Sequence, residues 1–346
     1  MVGGHEEAMF LSSVPDLPGD LCIFATLYCL KYADLPVYTK SADSLLTQNS
    51  HSPTEAETQT SPPPLPPPPE FNSPGAYLVE YPYKYSFIIN EAKRCRELKP
   101  YLVLVVPVAP QNKADRQIIR DTWGAQKVVL DKKVALFFLL GLGKVDKNEL
   151  SEESKQYGDI IQGDFVDCYK NLTIKTMVML EWLDTYCRDA MYAMKIDSDM
   201  FLNVPKLLEM LQHTPTTNCL TGLVERAAMV HRYTSSKWFV PMEVFGGSQY
   251  PPYVLGLGYV LSLDLAKRLV EASRGVKALY IEDVYLGMCM QHLGLQPTDP
   301  PIPGAFHVVP LNYNRCQFSE IIATTLHQHT DRRQLWRAFT QPGPYC

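Results

Sequence analysis

Short, unbroken apolar runs alternate with segments of helical periodicity from about residue 101 onward. Residues 102–108 and 134–140 are two such runs, and each has the length of a strand that is buried on both faces. The pattern also predicts helices at 114–123, 150–157, 171–186, 205–211 and 282–293, and strands at 159–162 and from Tyr192. Strands that alternate with helices in this way indicate an α/β fold.

The first hundred residues follow a different pattern. Residues 41–75 are dominated by Ser, Thr, Pro and Gln and include SPPPLPPPPE at 61–70, which cannot form a packed core. We interpret this part as an extended or disordered stem, and not as a Pro-rich ligand for an aromatic groove, because no basic residue flanks it. Residues 21–30 are apolar, but a membrane span needs about 20 residues. Taken alone, their length favours a buried or interfacial segment over an anchor.

Composition indicates a folded protein without a nucleic-acid partner. The chain has 346 residues, of which 46% are hydrophobic and 20% are charged, so it can bury a full-sized core. Its 32 basic and 37 acidic residues give a net charge of −5, which leaves no basic footprint for nucleic acid. We divide the chain into an N-terminal segment (1–32), a Pro/Ser/Thr-rich stem (33–80) and one α/β domain (81–346).

The nine cysteines favour a structural role. They form no CxxC pair, so neither a zinc ribbon nor a thioredoxin-type redox site is predicted. Residues 171–173 (NLT) are a glycosylation sequon, which together with the cysteines and the stem favours a compartment of the secretory pathway. Spacing does not reveal the disulfide pairing, and an odd count leaves at least one thiol unpaired within a monomer.

Two carboxylates one residue apart follow the apolar run that begins at Tyr192. On an extended chain residues i and i+2 point to the same side, so Asp197 and Asp199 can converge on one hard divalent cation beyond the strand end. Ligands of open α/β sheets bind at this carboxyl edge. The alternative is a solvated turn in which Asp199 caps the next helix. By itself this pattern leaves both interpretations open.

Arg116 and Arg120 are four residues apart on a predicted helix and therefore lie on one face. Two guanidiniums near the carboxyl edge of a strand could clamp a phosphate or a nucleotide. The alternative is a solvated helix face on which they pair with Asp115 or Asp121 of the same helix.

Two features of the second half also suggest ligand chemistry. The YPPY sequence at 250–253 and the glycines Gly256 and Gly258 suit stacking on a sugar face or a close approach of backbone to ligand, with a core-lining loop as the alternative. Glu282 and Asp283 open a predicted helix. They could simply cap it, or the helix dipole could keep Asp283 ionised as a general base.

Six blocks of this chain occur in the order and spacing of the inverting β1,3-glycosyltransferases, and the chain most resembles the β1,3-galactosyltransferases among them. The resemblance covers about residues 81–336. The blocks are RQIIRDTWG at 116–124, YGDIIQGDFVDCYKNLTIKT at 157–176, YAMKIDSDMFLN at 192–203, KWFVP at 237–241, YPPYVLGLGYVLS at 250–262 and IEDVYLGMC at 281–289.

The resemblance implies a GT-A type transferase domain, with a Rossmann-like mixed sheet flanked by helices, that binds a UDP-sugar and Mn²⁺. Asp199 matches the main metal ligand of the family. Asp197 matches an acidic position that assists through the ribose or a metal-bound water. Asp283 matches the catalytic base, and His327 is a candidate for a further metal ligand.

The resemblance also assigns residues to the walls of the site. The positions that match the donor motif, and would shape the nucleotide pocket, are Arg116, Arg120, Thr122 and Trp123. The positions that fall where the family builds its sugar and acceptor walls are Lys237, Trp238, Tyr250, Tyr253 and Glu282.

The chain departs from the family pattern at two places within the domain. Galactosyltransferases of this family usually carry a His nine residues beyond the cysteine that matches Cys316, and this chain has Thr325 there. His327 and His329 follow just downstream, so His327 could substitute after a shift in register. Residues 242–249 lack the usual Tyr-Pro element, which bears on the acceptor.

The resemblance further implies a type II Golgi membrane protein with its catalytic domain in the lumen. Residues 21–30 would then be the tail of a longer span whose first residues are missing or mis-assigned here. A soluble, secreted or mislocalised isoform is the competing interpretation.

We expect transfer of galactose from UDP-galactose to the 3-hydroxyl of a terminal N-acetylglucosamine-type acceptor on a glycoprotein or glycolipid. The nearest enzymatic alternative is transfer of N-acetylglucosamine from UDP-N-acetylglucosamine. The alternative of another class is a catalytically silent glycan-binding relative, whose mark would be loss of Asp199 or Asp283.

Overall fold

The computed structural model describes residues 75–346, and its centre is a mixed sheet. The strands, in chain order, are β1 (Phe87–Ile89), β2 (Leu102–Pro107), β3 (Val128–Val129), β4 (Lys132–Leu142), β5 (Ile160–Val166), β6 (Tyr192–Ile196), β7 (Met200–Leu202), β8 (Leu220–Glu225), β9 (Tyr253–Ser262), β10 (Phe306–His307) and β11 (Ala323–Thr325). The helices are α1 (Arg94–Leu98), α2 (Lys113–Asp121), α3 (Lys147–Tyr157), α4 (Leu172–Tyr186), α5 (Val204–Leu211), α6 (Leu263–Ser273), α7 (Glu282–His292), α8 (Arg315–Glu320) and α9 (Arg332–Phe339).

The main sheet has the strand order β1–β5–β4–β2–β6–β9–β8, and β3 pairs with β4 beside this row. Strands β5, β4, β2 and β6 are parallel, whereas β1, β9 and β8 are each antiparallel to a neighbour. A smaller sheet contains β10, β11 and β7. A mixed sheet flanked by helices confirms the predicted fold class.

The parallel strands are buried on both faces, as their unbroken apolar runs predict. Because side chains alternate along a strand, Val103 and Val105 of β2 face the layer formed by α4, α6 and α7. Leu104 and Val106 face the opposite layer, which contains α2 and α5. The domain therefore has two hydrophobic cores separated by one sheet.

Most predicted elements agree with the structure, with two informative differences. The helix predicted at 150–157 begins at Lys147 because the carboxylate of Asp146 accepts the N–H groups of its first turn. Gly256 and Gly258 lie inside strand β9, where a glycine-punctuated loop was expected. The loop interpretation is wrong because β6 and β8 hydrogen-bond to the two edges of β9 and hold its glycines extended.

The predicted N-terminal segment and most of the predicted stem, including residues 21–30, lie outside the described residues. At the end of the stem, Val79 is buried and its N–H donates to the carbonyl of Ala278 at 2.8 Å. Packing of the domain thus begins before residue 81. Between residues 75 and 346, no helix combines the length and the apolar character needed to cross a bilayer.

Disulfides close two parts of the domain, in agreement with the predicted structural role of cysteine. Cys95 of α1 is bonded to Cys187 at the end of α4, and Cys316 of α8 is bonded to Cys346.

The sequon residue Thr173 is fully buried, and its hydroxyl donates to the carbonyl of Leu279 at 2.8 Å. This bond joins α4 to the segment that leads into α7.

Replacing Thr173 by Val should lower the free energy of unfolding by about 1–3 kcal/mol, because the buried Leu279 carbonyl loses its hydroxyl donor. Denaturant unfolding of the folded domain measures this change. Thr185→Val is the matched control, since the Thr185 hydroxyl donates to Glu181 of its own helix in an exposed setting. Equal effects of the two substitutions would show that the buried bond has no special weight.

Candidate active site

The predicted acidic pair lies in the turn between β6 and β7, at the carboxyl edge of the parallel strands. The N–H of Asp197 donates to the Leu257 carbonyl of β9 at 3.0 Å, and Met200 N–H returns to the Asp197 carbonyl at 3.3 Å. The Asp197 side chain is 43% exposed and Asp199 is exposed. Both carboxylates are therefore open to a ligand, and Asp199 does not cap a helix.

The acidic pair has an unfavourable electrostatic environment in the absence of a cation. Desolvation by the surrounding protein raises the pKa of Asp197, against the opposing effect of Lys195. Desolvation and the negative charge of Asp197 both raise the pKa of Asp199. A positive charge placed between or beside two neighbouring carboxylates favours their ionised forms.

A buried ammonium group lies directly behind the acidic pair. Lys195, in strand β6, places Nζ 2.7 Å from Asp197 Oδ1 and 3.2 Å from Glu282 Oε1, and it donates to the Gly256 carbonyl. Burial opposes the charge of Lys195, but the carboxylates of Asp197 and Glu282 outweigh this effect and raise its pKa. The sequence analysis missed this residue, although a lysine inside an otherwise apolar strand was a signal.

The Glu282 side chain lies inside the protein and is not exposed to a sugar ligand. Its side chain is buried, and besides Lys195 it accepts the hydroxyl of Thr176 at 3.0 Å and that of Tyr259 at 3.4 Å. Burial raises the pKa of Glu282, and Lys195 opposes that shift. Both carboxylate oxygens lie against protein groups, so a place for Glu282 in a sugar wall stays a prediction.

Asp283 lies at the start of α7, next to Gly256 of β9. Its Oδ2 accepts the Gly256 N–H at 3.0 Å, and its Oδ1 accepts the Val284 N–H at 2.9 Å. Burial raises the pKa of Asp283, while these two backbone N–H groups favour the ionised form. The side chain is half-buried, so the carboxylate is fixed in position and still reachable.

The two arginines of α2 are committed to buried ion pairs. Arg116 forms a two-pronged contact with Glu153, at 2.8 and 2.6 Å, and also donates to the carbonyls of Ala109 and Pro110. Arg120 binds Asp159 through two bonds of 2.8 Å and also contacts Glu153.

This environment bears on both interpretations of the arginine pair. The guanidiniums of Arg116 and Arg120 are buried and paired with carboxylates, so in this structure neither is free to clamp a phosphate. Pairing within the helix is wrong, since Asp115 binds Arg332 and Asp121 binds Arg333 instead. A role in shaping the nucleotide pocket stays a prediction.

Trp123, of the predicted donor motif, contacts the residue that follows the acidic turn (residues 197–199), and Thr122 caps the end of helix α2. Trp123 is buried, and its indole N–H donates to the Met200 carbonyl, directly after Asp199, at 3.1 Å. The Thr122 hydroxyl donates to the Ile118 carbonyl at 2.7 Å and ends helix α2. Both side chains are buried, and their role in shaping the nucleotide pocket stays a prediction.

The predicted wall residues divide into exposed and buried members. Trp238 is 39% exposed, and the Lys237 ammonium lies 4.4 Å from its ring centroid. Tyr250 is buried against Phe245, and burial raises the pKa of its hydroxyl to about 12. Tyr253 is half-buried. Trp238 and Lys237 are thus exposed to a ligand, whereas Tyr250 is not.

The position of the missing family histidine is adjacent to the acidic turn. Thr325 pairs with Met200 across β11 and β7, and its hydroxyl lies 3.4 Å from the Met200 sulfur. His327 is exposed beyond the end of β11. In the described part of the chain, no group of three or more acidic, His or Cys side chains converges as a preformed metal site. His327 is therefore not assembled with Asp197 and Asp199.

The acidic pair nevertheless fits a divalent cation that is shared with a phosphate ligand. Cations of this class are often held by only one or two carboxylates, with phosphate oxygens and waters completing the shell. Asp199 and the free oxygen of Asp197 supply that donor set.

A second buried lysine, Lys175, occupies the same edge of the sheet, where it binds Asp167 at 2.7 Å and the Val108 carbonyl at 3.1 Å.

Gly256→Ala should destabilise the domain by about 1–3 kcal/mol, the usual cost of overpacking a filled site. A Cβ at this position would lie 2.9 Å from Glu282 Oε1 and 3.3 Å from Asp283 Oδ2. The Glu282 carboxylate cannot retreat without leaving Lys195. Denaturant unfolding measures the cost.

Gly258→Ala is the matched control on the same strand. Its Cβ would meet the flexible end of Met194 at 3.4 Å, an ordinary contact. A Gly256→Ala variant as stable as Gly258→Ala would contradict the tight packing of Gly256 against α7.

Comparison with known proteins identifies the family of this chain. The galactosyltransferase family model matches residues 114–301. The chain is 36% identical over 266 residues to beta-1,3-galactosyltransferase 2 of Homo sapiens. The matched residues make up 75% of this chain and 63% of that protein. It is 37% identical to beta-1,3-galactosyltransferase 5 of Homo sapiens over 70% of this chain and 80% of the relative.

A third relative and one solved structure are also similar. Beta-1,3-galactosyltransferase 1 of Mus musculus is 35% identical over 71% of this chain and 76% of its own length. The WbbM bifunctional glycosyltransferase apo structure has a TM-score of 0.36 and 12% identity, and the match covers 60% of this chain and 40% of that chain, which is too distant to support an argument. The family model and the relatives confirm the resemblance seen in the sequence, and the chain belongs to the galactosyltransferase family.

Proposed function

We propose that this protein is a β1,3-galactosyltransferase that moves galactose from UDP-galactose to the 3-hydroxyl of a terminal N-acetylglucosamine-type acceptor. Family membership supports a hexosyltransferase that uses a nucleotide sugar and a glycan acceptor. The observation that carries the proposal is that two acidic features meet around Gly256 at one sheet edge. Lys195, which pairs with Asp197, donates to the Gly256 carbonyl, and Asp283 accepts the Gly256 N–H.

Asp283 acts as the general base in this proposal. Its carboxylate takes the proton from the acceptor hydroxyl as the sugar oxygen attacks the anomeric carbon from the side opposite UDP. The bond to UDP breaks as the new glycosidic bond forms, so the configuration inverts and no covalent enzyme intermediate is needed. The Gly256 and Val284 N–H groups hold the carboxylate in place and favour its ionised form.

Asp199 and Asp197 hold the cation side of the site. A bound Mn²⁺ would supply positive charge near the departing diphosphate. Asp199 is the more exposed of the two carboxylates and is the better placed to be a direct ligand. Asp197 is partly engaged by Lys195, which suits an assisting role. Trp238 and Lys237 form an exposed surface on which a sugar ring can stack.

Two alternatives have distinct marks. An N-acetylglucosaminyltransferase would share the same carboxylates and differ in donor, while the relatives' names favour galactose as the sugar transferred. A catalytically silent glycan-binding relative would be expected to lack Asp199 or Asp283. Both residues are present, and both carboxylates are accessible to a ligand.

We also propose that the protein works in the Golgi with its catalytic domain in the lumen, associated with the membrane through an N-terminal anchor. The two disulfides Cys95–Cys187 and Cys316–Cys346 support an oxidising compartment. The Pro-rich stem seen in the sequence suits a spacer between a membrane and a catalytic domain.

Asp283→Asn should reduce galactose transfer by about 10²- to 10⁴-fold, since the amide cannot accept the acceptor's proton. UDP binding in the presence of Mn²⁺, measured by calorimetry, should stay close to that of the wild type. Asp264→Asn is the control, because Asp264 caps a distant turn through Asn218. Transfer at the wild-type rate by Asp283→Asn would show that another residue is the base.

The folded domain should turn over UDP-galactose in preference to other donors. An assay of residues 75–346 with UDP-galactose, UDP-N-acetylglucosamine and UDP-glucose, each with an N-acetylglucosamine-terminated acceptor and a galactose-terminated acceptor, measures this preference. Omission of Mn²⁺ should abolish transfer with every donor. Turnover with UDP-N-acetylglucosamine alone would replace the proposed donor by the alternative.

A further inference from the structure

The C-terminal helix α9 lies beyond the residues that match the family model, yet it packs against the acidic turn. Leu335 and Phe339 of α9 are buried with Phe318 around Phe201, which belongs to β7. The Phe201 ring meets the Phe318 ring at 4.9 Å and the Phe339 ring at 5.1 Å between centroids. Because β7 begins directly after Asp199, this packing fixes α9 relative to the acidic turn.

Arg332, at the start of α9, makes the polar part of this contact. One guanidinium nitrogen donates to the Ser198 carbonyl at 2.7 Å, and another pairs with Asp115 of α2. Ser198 is the residue between the two carboxylates. Arg332 thus ties the middle of the acidic turn to both α9 and α2, and its side chain is only 19% exposed.

The charge of this arginine suits its position. Asp197 and Asp199 repel each other before a cation binds, and the repulsion favours any distortion that moves them apart. A guanidinium on the intervening carbonyl restrains the turn and offsets part of the negative charge. Groups that orient metal ligands from behind in this way affect metal affinity without touching the metal.

The rest of the C-terminus holds α9 in place. The Cys316–Cys346 disulfide closes a loop that contains β11 and α9. Arg315 donates to the carbonyl of Phe339, the last residue of the helix, and to those of Gln341 and Pro344 beyond it. The helix that carries Arg332 is therefore a fixed part of the domain and not a loose tail.

We propose that Arg332 is a positioning residue that holds the Asp197–Asp199 turn in the conformation that binds a divalent cation. The inference rests on the proposed function, because it assigns a cation to that turn. It adds to the site a residue that lies beyond residues 114–301, which match the family model, and that has no proposed contact with donor or acceptor.

Binding of Mn²⁺ alone to the purified domain, measured by electron paramagnetic resonance, tests the proposal without an activity assay. Arg332→Ala should weaken binding about 10-fold, within the usual range for groups behind metal ligands. Arg332→Lys, which keeps the charge but cannot span Ser198 and Asp115 with a fork of donors, should recover part of the loss. In the transfer assay, saturating Mn²⁺ should restore most of the turnover of Arg332→Ala.

Arg333→Ala is the matched control on the same helix. Arg333 also binds an aspartate of α2, Asp121 at 2.7 Å, but it makes no contact with the acidic turn. Its loss should change Mn²⁺ affinity by less than about twofold. Thermal unfolding of each variant shows whether it is folded, and Arg332→Lys carries the test if Arg332→Ala is not.

Asp199→Asn separates failure of this inference from failure of the proposed function. If Asp199→Asn binds Mn²⁺ like the wild type, the cation is not at this turn and the proposed function loses its metal assignment. If Asp199→Asn loses binding while Arg332→Ala and Arg332→Lys both bind like Arg333→Ala, the positioning role of Arg332 is overturned and the metal assignment stands.

Discussion

The candidate site depends on one buried positive charge. An ammonium group inside a protein is costly unless it is paired and hydrogen-bonded, with a penalty of several kcal/mol per ion. Lys195 meets this requirement with Asp197, Glu282 and the Gly256 carbonyl, which come from the end of β6, the start of α7 and the middle of β9. Three separate elements must therefore converge wherever this lysine is buried.

This convergence joins the two acidic features of the site, the Asp197–Asp199 turn and Asp283. Lys195 binds one carboxylate of the acidic turn and Glu282, while the adjacent Asp283 accepts the Gly256 N–H. Glycine at 256 is required because a side chain would enter the space that the two carboxylates of α7 occupy. The Asp283 carboxylate and the acidic turn are therefore joined through Glu282, Lys195 and Gly256.

Much of the fold followed from the sequence, and the exceptions have physical causes. Apolar runs identified the parallel strands because burial on both faces favours apolar residues at nearly every position. Strand β9 was missed because its glycines mimic a loop, and only pairing with β6 and β8 makes them extended. The same limit applies to Arg116 and Arg120, since their partners Glu153 and Asp159 are distant in sequence and no local pattern could reveal them.

The site residues divide along the same line. Asp197, Asp199 and Asp283 were predicted from short motifs, and the structure places them at one sheet edge. Lys195 and Arg332 act through tertiary contacts, so the sequence showed only a misplaced charge in a strand for the first and no signal for the second.

The most direct measurement is anomalous diffraction at the manganese edge from crystals of the folded domain with Mn²⁺ and UDP. The account predicts one strong peak within coordination distance of Asp199, between that carboxylate and the diphosphate. A well-occupied manganese ion bound to UDP at any place remote from Asp199 would contradict it.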